Sequence, residues 1–398
     1  MNVLQDRLDV KSKRRSNLFN WRGQFTPEFV EYLLEMLANS NSNILDPFSG
    51  SGTVLQESAR MNLHAVGYEI NPSAYAMSRF FSFCNLSAND RLHFVHGLEK
   101  HLEKIDLFKS LKPVYIEDDD YRVSYKNLLE FADLFIRNVH DKRERIFLLN
   151  ILFLSEKDKS ISMRDSLRKS FNFLKKALIE LPNTEKPISA FLKDARMTGS
   201  DFPETYDLII TSPPYINVFN YHQNYRAMIE KFKFDILTVA QSEFGSNRKN
   251  RSNRFKTVIQ YCIDMEEAIH SFWSTLKPNG VMTLVVGRES NVRNTPFFNS
   301  KLIMDILNES KGFENVNVFE RQFTNKFGNT IKEDIIIVKK SQLISKEMNA
   351  RKIACFHLEN CLRNTNNGIH DDVVNAIQSL DEIEHSPIFN VKNVIINE

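Results

Sequence analysis

The segment that most constrains the fold of this 398-residue chain is an apolar run, NILDPF at 43–48, followed at once by the glycine turn SGSGT. Helical text, VLQESARMN at 54–62, comes next, and HAVGYEI at 64–70 predicts a second strand that ends on an acid. Strand, tight turn, helix and strand make a βαβ unit, the building block of parallel sheets. We therefore predict an α/β protein with a doubly wound, mostly parallel sheet.

The rest of the chain divides into regions of different character. Strand patterns recur at 206–212, 280–287, 315–323 and 333–340, with helical text at 263–276 and 299–311. A helix is predicted at about 26–39, since Thr26 can cap it and Pro27 suits its first turn. We assign residues 21–75 and 190–340 to one α/β domain. The remaining regions are predicted to be a basic arm (1–20), a mainly helical insert with a short strand at 93–97 (76–189), and a polar, helical C-terminal extension (341–398).

Charge and cysteine content exclude several classes of protein. The 52 Lys and Arg nearly balance 50 Asp and Glu, so a polyanionic partner would have to be met by a local patch. The four cysteines show neither a CxxC pair nor zinc-ligand spacing, so we predict no metal site and a reducing compartment. The longest strongly apolar stretch, at 146–154, is too short to cross a bilayer, and the first residues lack a signal-peptide core. We expect a soluble cytoplasmic protein.

Three motifs indicate a ligand site at the carboxyl ends of the strands. The two glycines of the turn let the backbone approach a ligand, and no Lys follows them, so this is not a Walker loop. Glu69 can accept hydrogen bonds from the hydroxyls of a ribose. TSPPY at 211–215 follows an apolar strand, and its prolines cannot continue the strand ladder. The free carbonyls, the Ser212 hydroxyl and the flat Tyr215 ring make a slot for a planar ring that carries an amino group.

In combination, DPFSGSGT, Glu69 and TSPPY closely resemble the S-adenosylmethionine-dependent amino-methyltransferases of DNA, which make N4-methylcytosine or N6-methyladenine. WRGQFTPEFVEYLL at 21–34 resembles the family's amino-terminal cofactor segment, and KDAR at 193–196 its acidic strand-end motif. LKPNG followed by VMTLVVG resembles its late helix, turn and strand. The resemblance covers residues 20–75 and 190–340. It implies a class I methyltransferase-like catalytic domain, S-adenosylmethionine as cofactor and double-stranded DNA as partner.

The resemblance also implies roles for individual residues. Glu69 would bind the ribose of the cofactor and Asp194 its adenine amino group, within a cofactor-binding set of Asp46, Pro47, Phe48, Gly50, Gly52, Thr53, Glu69 and Asp194. The target amine would donate hydrogen bonds to Ser212 and the Pro213 carbonyl while Tyr215 stacks on the base, within a catalytic set of Ser212, Pro213, Pro214 and Tyr215. A duplex base would have to be flipped out of the stack. None of the four cysteines follows a proline, which excludes C5-cytosine methylation.

The choice of base and the segment that reads DNA are less fixed. Ser212 favours N4 of cytosine, because the adenine enzymes mostly carry Asp there, although Ser also occurs among them. Either the insert or residues 216–262 could recognise the target. The second segment holds FGSNRKNRSNRFK at 244–256, which is either a DNA clamp or a solvated loop; its candidate DNA-binding residues are Arg248, Lys249, Arg251, Arg254 and Lys256.

Other features have two interpretations each. Residues 137–176 hold eleven Lys and Arg against five Asp and Glu. This excess of basic residues belongs either to solvated helix faces or to a surface that faces DNA. KSKRR at 11–15 either adds phosphate contacts or belongs to a disordered arm. For Tyr221 and Tyr225, the two interpretations are packing near the target pocket and packing in the core.

The favoured function is a site-specific DNA methyltransferase near the nucleoid of a prokaryotic cell. It would act in a restriction-modification system, with a cognate restriction endonuclease as a candidate partner, or alone. Two alternatives stay open: an RNA base methyltransferase with the same pocket, and a catalytically inactive DNA-binding subunit. Relatives that methylate glutamine usually have Asn where Ser212 stands. The sequence does not determine the oligomeric state.

Overall fold

The computed structural model describes residues 3–104, 121–157, 163–216, 220–246, 250, 252–324, 328–362 and 367–390. These residues form a seven-stranded sheet, a separate two-stranded hairpin, and helices around them. The strands are β1 (Asn43–Asp46), β2 (His64–Tyr68), β3 (Ile188–Phe191), β4 (Tyr206–Thr211), β5 (Leu276–Gly287), β6 (Glu289–Val292), β7 (Thr295–Phe298), β8 (Phe313–Thr324) and β9 (Thr330–Lys340). The helices are α1 (Gln5–Leu8), α2 (Pro27–Leu37), α3 (Thr53–Arg60), α4 (Pro72–Phe80), α5 (Ala88–Lys104), α6 (Tyr121–Asn138), α7 (Lys142–Lys157), α8 (Met163–Glu180), α9 (Thr198–Asp201), α10 (Arg226–Lys231), α11 (Ile236–Ser242), α12 (Lys256–Thr275), α13 (Asn299–Ser310), α14 (Ala350–Leu362) and α15 (Asn367–Gln378).

The sheet has the order β3-β2-β1-β4-β5-β9-β8. The five strands from β3 to β5 pair in parallel, and β9 is antiparallel to both of its neighbours. The chain moves outward from β1 through β2 to β3 and then continues on the other side of β1 with β4. Ligands of open α/β sheets bind in the crevice at such a switch point. The predicted α/β, class I methyltransferase-like fold is confirmed, and its crevice lies beside Asp46 and Thr211.

Alternate side chains of the central strands enter two separate cores. Ile44, Leu208 and Ile210 pack with α2, α3 and α4 on one face of the sheet. Leu45 and Ile209 pack with α12, α13 and α14 on the other face. This follows from the period of two in a strand. Because helices cover both faces, the central strands are apolar throughout rather than alternating.

Most predicted strands are present with small shifts of their ends. Residues 206–212, 315–323 and 333–340 correspond to β4, β8 and β9. Strand β5 begins earlier than predicted, because Leu276 already pairs with Tyr206. The register then shifts, so the LKPNG turn, with Asn279 at a φ of 65°, forms an irregularity within the strand. Strand β3 has no counterpart among the predicted strands, although the KDAR motif predicts a strand end there.

The strand predicted at 93–97 is wrong, because these residues lie within helix α5. The buried side chains of this helix are Arg91, Val95, Leu98 and Leu102, spaced by four, three and four residues. That spacing is typical of a helix. The five residues HFVHG are too few to show the helical period. Gly97 faces open space, so the helix passes through it without a packing requirement.

Both terminal segments pack on the α/β core. Arg15, in the basic stretch at 11–15, pairs with Glu31 at 2.7 Å and with Glu57 at 2.8 Å. At the other end, α14 packs on α12, and the chain then returns to the crevice beside Asp194. Among the residues that the structure describes, no helix is long and apolar enough to span a membrane.

Candidate active site

A cavity of about 980 Å³, its opening to solvent included, lies at the carboxyl ends of β1 and β4. The predicted catalytic set Ser212, Pro213, Pro214 and Tyr215 contributes to its wall. So do seven of the eight predicted cofactor-binding residues: Asp46, Pro47, Phe48, Gly50, Thr53, Glu69 and Asp194. The structure thus brings together residues that lie up to 169 positions apart in the chain, from Asp46 to Tyr215.

The eighth residue, Gly52, stands behind the glycine turn instead of in the cavity wall. Its φ of 89° is left-handed, and it precedes the first residue of α3. A Cβ atom at this position would lie 2.8 Å from the Ser78 backbone and from the Phe81 ring. Gly50, at a φ of 50°, faces the cavity beside Trp21. Gly50 therefore serves the cavity directly, while Gly52 makes the turn possible.

Glu69 is held at the floor of the cavity by backbone donors. The Gly50 N–H donates to Oε2 at 2.9 Å and the Asn71 N–H to Oε1 at 2.7 Å. Burial raises the pKa of Glu69 to about 7, and the nearby carboxylates of Asp46 and Glu243 act in the same direction. A buried carboxylate with remaining lone pairs can accept hydrogen bonds from two ribose hydroxyls.

Asp46 is a second buried carboxylate in the same wall. The Thr211 hydroxyl donates to Oδ1 at 2.6 Å and the Phe48 N–H at 3.2 Å. Burial raises its pKa to about 7 as well. Together with Glu69, Asp194 and Glu243, four carboxyl groups line one cavity. Arg196 pairs with Asp194, and Arg22 also lines the cavity, so Asp46 and Glu69 are the carboxyl groups that favour a positively charged ligand. The sulfonium and ammonium groups of S-adenosylmethionine carry such charge. The residues present therefore fit the predicted cofactor.

Asp194 is engaged in a buried network that the sequence did not reveal. It accepts from the Arg196 N–H and Nε at Oδ1 and from Nη2 at Oδ2, over 2.7–3.0 Å. The Phe389 N–H adds a fourth bond, to Oδ2 at 3.0 Å. Arg196 also meets Asp264 at 3.2 Å. A carboxylate offers about four lone-pair sites, so these donors occupy all of them.

The C-terminal segment closes this network. The Ser386 N–H donates to Asp264 at 2.7 Å, and the carbonyls of Ser386 and Pro387 accept from Arg196 at 2.8 and 3.1 Å. Burial raises the pKa of Asp264 to about 7, against the influence of Arg196 and Ser386. These contacts join residues almost 200 positions apart, and no sequence pattern near 386 indicates them. The extension is thus a structural part of the cavity's surroundings.

The TSPPY segment, at the end of β4, forms another wall of the same cavity. The Ser212 Oγ and the Tyr215 hydroxyl are 3.2 Å apart and share a hydrogen bond. The Tyr215 ring lies against Gly287 so closely that a Cβ atom there would be 2.9 Å from it. Burial raises the pKa of Tyr215 far above its ordinary value, so its hydroxyl keeps its proton.

An aromatic pair borders the same cavity. Trp21 stacks on Tyr221 with centroids 5.9 Å apart and an angle of 18° between the rings, and both line the cavity. Tyr225, by contrast, is buried in the core with its ring 4.9 Å from that of Phe153. Of the two tyrosines noted in the sequence, Tyr221 faces the cavity and Tyr225 packs in the core.

The candidate DNA-binding residues are only partly described. Arg254 is exposed and Lys256, the first residue of α12, is half-buried. Arg248, Lys249 and Arg251 lie outside the described residues. Within the described ranges, no group of three His, Cys, Asp or Glu side chains has the arrangement of a metal site.

Comparison with known sequences gives two related results. A family model for DNA methylases, of the N6 and N4 type, matches residues 4–80. The type II methyltransferase M.MjaII of Methanocaldococcus jannaschii is 36% identical over 62 residues, which cover 16% of this chain and 12% of that protein. This chain is therefore similar to the N6/N4 DNA methylases over residues 4–80. Another type II methyltransferase, M.BsoBI of Geobacillus stearothermophilus, is 21% identical over 341 residues, covering 71% of this chain and 65% of that protein. The chain spans less than two thirds of the length of either relative.

Two solved structures have a partly similar course of chain. The alignment with TrmN from Thermus thermophilus covers 80% of this chain and 50% of that protein, with 14% identity and a TM-score of 0.33. The alignment with a SAM-dependent methyltransferase from Methanosarcina mazei covers 77% of this chain and 96% of that protein, with 11% identity and a TM-score of 0.34. Similarity this low carries no argument about function. The DNA methylase match over residues 4–80 indicates S-adenosylmethionine as the cofactor, as predicted from the sequence.

Proposed function

We propose that this protein methylates the exocyclic amine of a base in double-stranded DNA, at a site of fixed sequence. One observation carries the proposal: the acidic wall with its glycine turn and the TSPPY wall line a single cavity. The first wall suits a cationic cofactor, and the second offers hydrogen-bond acceptors and a flat ring to an aromatic amine.

The carboxylates on the first wall would hold the cofactor. Glu69 would accept from the ribose hydroxyls, Asp46 would face the positively charged end, and Asp194 would lie at the adenine. Gly50 would let the backbone approach, since a side chain there would meet Trp21 at 3.2 Å. Bound at this wall, S-adenosylmethionine would supply an activated methyl group on its sulfonium, and the sulfur would keep the C–S electron pair when the amine nitrogen takes the methyl carbon.

The second wall would position the base. Tyr215 and the two prolines would hold its ring, and Ser212 with the Pro213 carbonyl would accept hydrogen bonds from the amine. These acceptors would stabilise the positive charge that develops on the amine. They would also direct the nitrogen lone pair toward the cofactor. The proton that the amine loses would leave toward these acceptors and then to solvent. The target base has to leave the duplex stack to reach this wall.

The finer features of the proposal come from the sequence. Ser212 favours N4 of cytosine over N6 of adenine, and the basic residues Arg254 and Lys256 would contact phosphates. We propose a cytoplasmic enzyme of a prokaryote that associates with the nucleoid. It would belong to a restriction-modification system with a cognate endonuclease.

The test is to express the protein in cells whose DNA lacks methylation and to identify the modified nucleosides by mass spectrometry. We expect N4-methylcytosine at one short sequence. N6-methyladenine would correct the choice of base, and methyl groups found only in RNA would favour the RNA enzyme.

Two serine variants test the assignment of the pocket. Ser212→Ala should lower methyl transfer at least about 100-fold with cofactor affinity retained, because an acceptor at the reacting amine is lost. Ser200→Ala is the matched control, since its exposed hydroxyl bonds only the Met197 carbonyl. Bound cofactor without methyl transfer in the wild-type protein would indicate an inactive DNA-binding subunit.

A further inference from the structure

Two charged side chains lie behind the TSPPY wall, on strands that the proposed reaction does not otherwise use. Gly287 of β5, Glu333 of β9 and Arg321 of β8 are consecutive partners across the sheet. Arg321 Nε lies 3.0 Å from Glu333 Oε2. The Arg321 guanidinium also lies over the Phe29 ring, 3.8 Å from its centroid. Charged groups this deeply buried are rare unless they are paired, so their presence needs an explanation.

Tyr215 connects this pair to the cavity. Its ring lies over Gly287, next to Glu333 in the register of β5 and β9. Its hydroxyl lies near the Glu333 carboxyl and, together with Arg321, opposes the rise in pKa which burial causes in that carboxyl. The same hydroxyl is 3.2 Å from the Ser212 Oγ. Arg321, Glu333, Tyr215 and Ser212 therefore form a continuous chain from the sheet to the cavity wall.

The chemistry of these groups gives the chain a direction. Arginine stays protonated in proteins, so its partner Glu333 is a carboxylate and can only accept. The Tyr215 O–H then donates to Glu333, and the Tyr215 oxygen can take part in the bond to Ser212 only as the acceptor. Ser212 donates its single proton to Tyr215. Both lone pairs of the Ser212 oxygen are left for a donor in the cavity.

We propose that Glu333 and Arg321 are positioning residues that, through Tyr215, fix the Ser212 hydroxyl as a hydrogen-bond acceptor for the target amine. This inference rests on the proposed function. Without Glu333 as a pure acceptor, the Tyr215 proton can turn toward the Ser212 oxygen. The Ser212 proton then points into the cavity, where it opposes the N–H groups of the target amine. The expected consequence is a slower methyl-transfer step with the base still bound.

The experiment measures single-turnover methyl transfer at saturating DNA and S-adenosylmethionine, together with KM for DNA. Glu333→Gln replaces the carboxylate by a group that can donate, and Tyr215→Phe keeps the ring but removes the hydroxyl. Each should lower the rate at least about tenfold, the equivalent of one hydrogen bond, with KM for DNA within about twofold of wild type. The double variant should be no slower than the slower single variant. Glu314→Gln, an exposed glutamate on β8, is the control and should keep the wild-type rate.

Three results would overturn the inference: an unchanged rate in Glu333→Gln, losses that multiply in the double variant, or a loss confined to KM. If Glu333→Gln does not fold, Tyr215→Phe decides alone, because an unchanged rate there excludes any role for the hydroxyl. Failure of the proposed function is separate, since it would appear as absence of methyl transfer to any DNA by the wild-type protein, and the inference would fall with it.

Discussion

Lowering the pH from 8 to 6 should weaken the binding of S-adenosylmethionine by at least about tenfold. Burial raises the pKa of Glu69 and of Asp46 to about 7 in the protein without cofactor. Asp46, Glu243 and the Tyr221 hydroxyl act on Glu69, and the cation that lines the same cavity, Arg22, acts on Tyr221. A cationic ligand favours the carboxylate form and lowers both pKa values on binding. Affinity should therefore be highest above pH 7 and fall as the carboxyl groups take up protons.

The magnitude follows from the titration of one group. A carboxyl with a pKa of about 7 is about 90% ionised at pH 8 and about 10% ionised at pH 6. If the cofactor binds only the ionised form, the dissociation constant rises roughly tenfold over that interval. A second group with the same pKa sets an upper bound of roughly 100-fold, which the repulsion between Asp46 and Glu69 reduces.

Isothermal titration calorimetry at pH 6, 7 and 8 measures this directly and also reports proton release from its dependence on buffer. Glu69→Gln mimics the protonated form and should flatten the pH dependence. Glu57→Gln is the control, because Glu57 has a pKa raised to about 7 by burial but lies on α3 outside the cavity wall. S-adenosylhomocysteine has the same α-amino group but no sulfonium charge, so its affinity should vary less.

An affinity for S-adenosylmethionine that stays constant within twofold between pH 6 and pH 8 would refute the reasoning. An equal pH dependence for S-adenosylhomocysteine would assign the effect to the groups that both ligands share, the ribose and the α-amino group, instead of the sulfonium.

Three other perturbations have expected outcomes. Gly52→Ala should cost about 1–3 kcal/mol in thermal unfolding, because its φ of 89° and the Ser78 backbone at 2.8 Å exclude a Cβ atom, whereas Gly97→Ala in open space should be neutral or stabilising. Phe389→Pro removes an N–H that occupies Asp194 and should tighten cofactor binding severalfold in calorimetry, with Ile388→Pro as control; unchanged affinity would exclude Asp194 as the adenine acceptor. Arg254→Ala should lower the dependence of DNA affinity on salt by about one unit of slope, and an unchanged slope would remove it from the interface.

The parts of the site that lie within one strand–turn–helix unit could be predicted from the sequence. Asp46, Gly50 and Glu69 follow buried strands directly, and parallel strands present their carboxyl ends at one edge of the sheet. TSPPY adds a fourth position by the same rule, because it ends β4 next to β1. Chain direction alone therefore brings these residues together, whatever the length of the insert between them.

Contacts that depend on packing between distant segments could not be predicted. The bonds of Ser386 and Phe389 to Asp264 and Asp194 depend on how α14 packs on α12, and a single sequence contains no record of that. Arg321 and Glu333 left a weaker signal, since each is a charged residue in a strand pattern. Their pairing depends on the register of β8 and β9, which strand periodicity does not give.

The three carboxylates that would meet the cofactor differ in how many hydrogen bonds they can still accept. Among the described residues, Glu69 and Asp46 each accept two, so about half of their lone-pair sites remain for a ligand. Asp194 accepts four, and one of them comes from the Phe389 N–H at the C-terminal segment. Glu69 and Asp46, proposed to meet the ribose and methionine, can therefore accept from a ligand, whereas Asp194, proposed to meet the adenine, can accept a new donor only when an existing one moves. Arg196 cannot leave without exposing Asp264 and Asp194 as unpaired buried charges, a cost of several kcal/mol. The Phe389 N–H is neutral and belongs to a segment near the chain end, so it is the donor that adenine would displace.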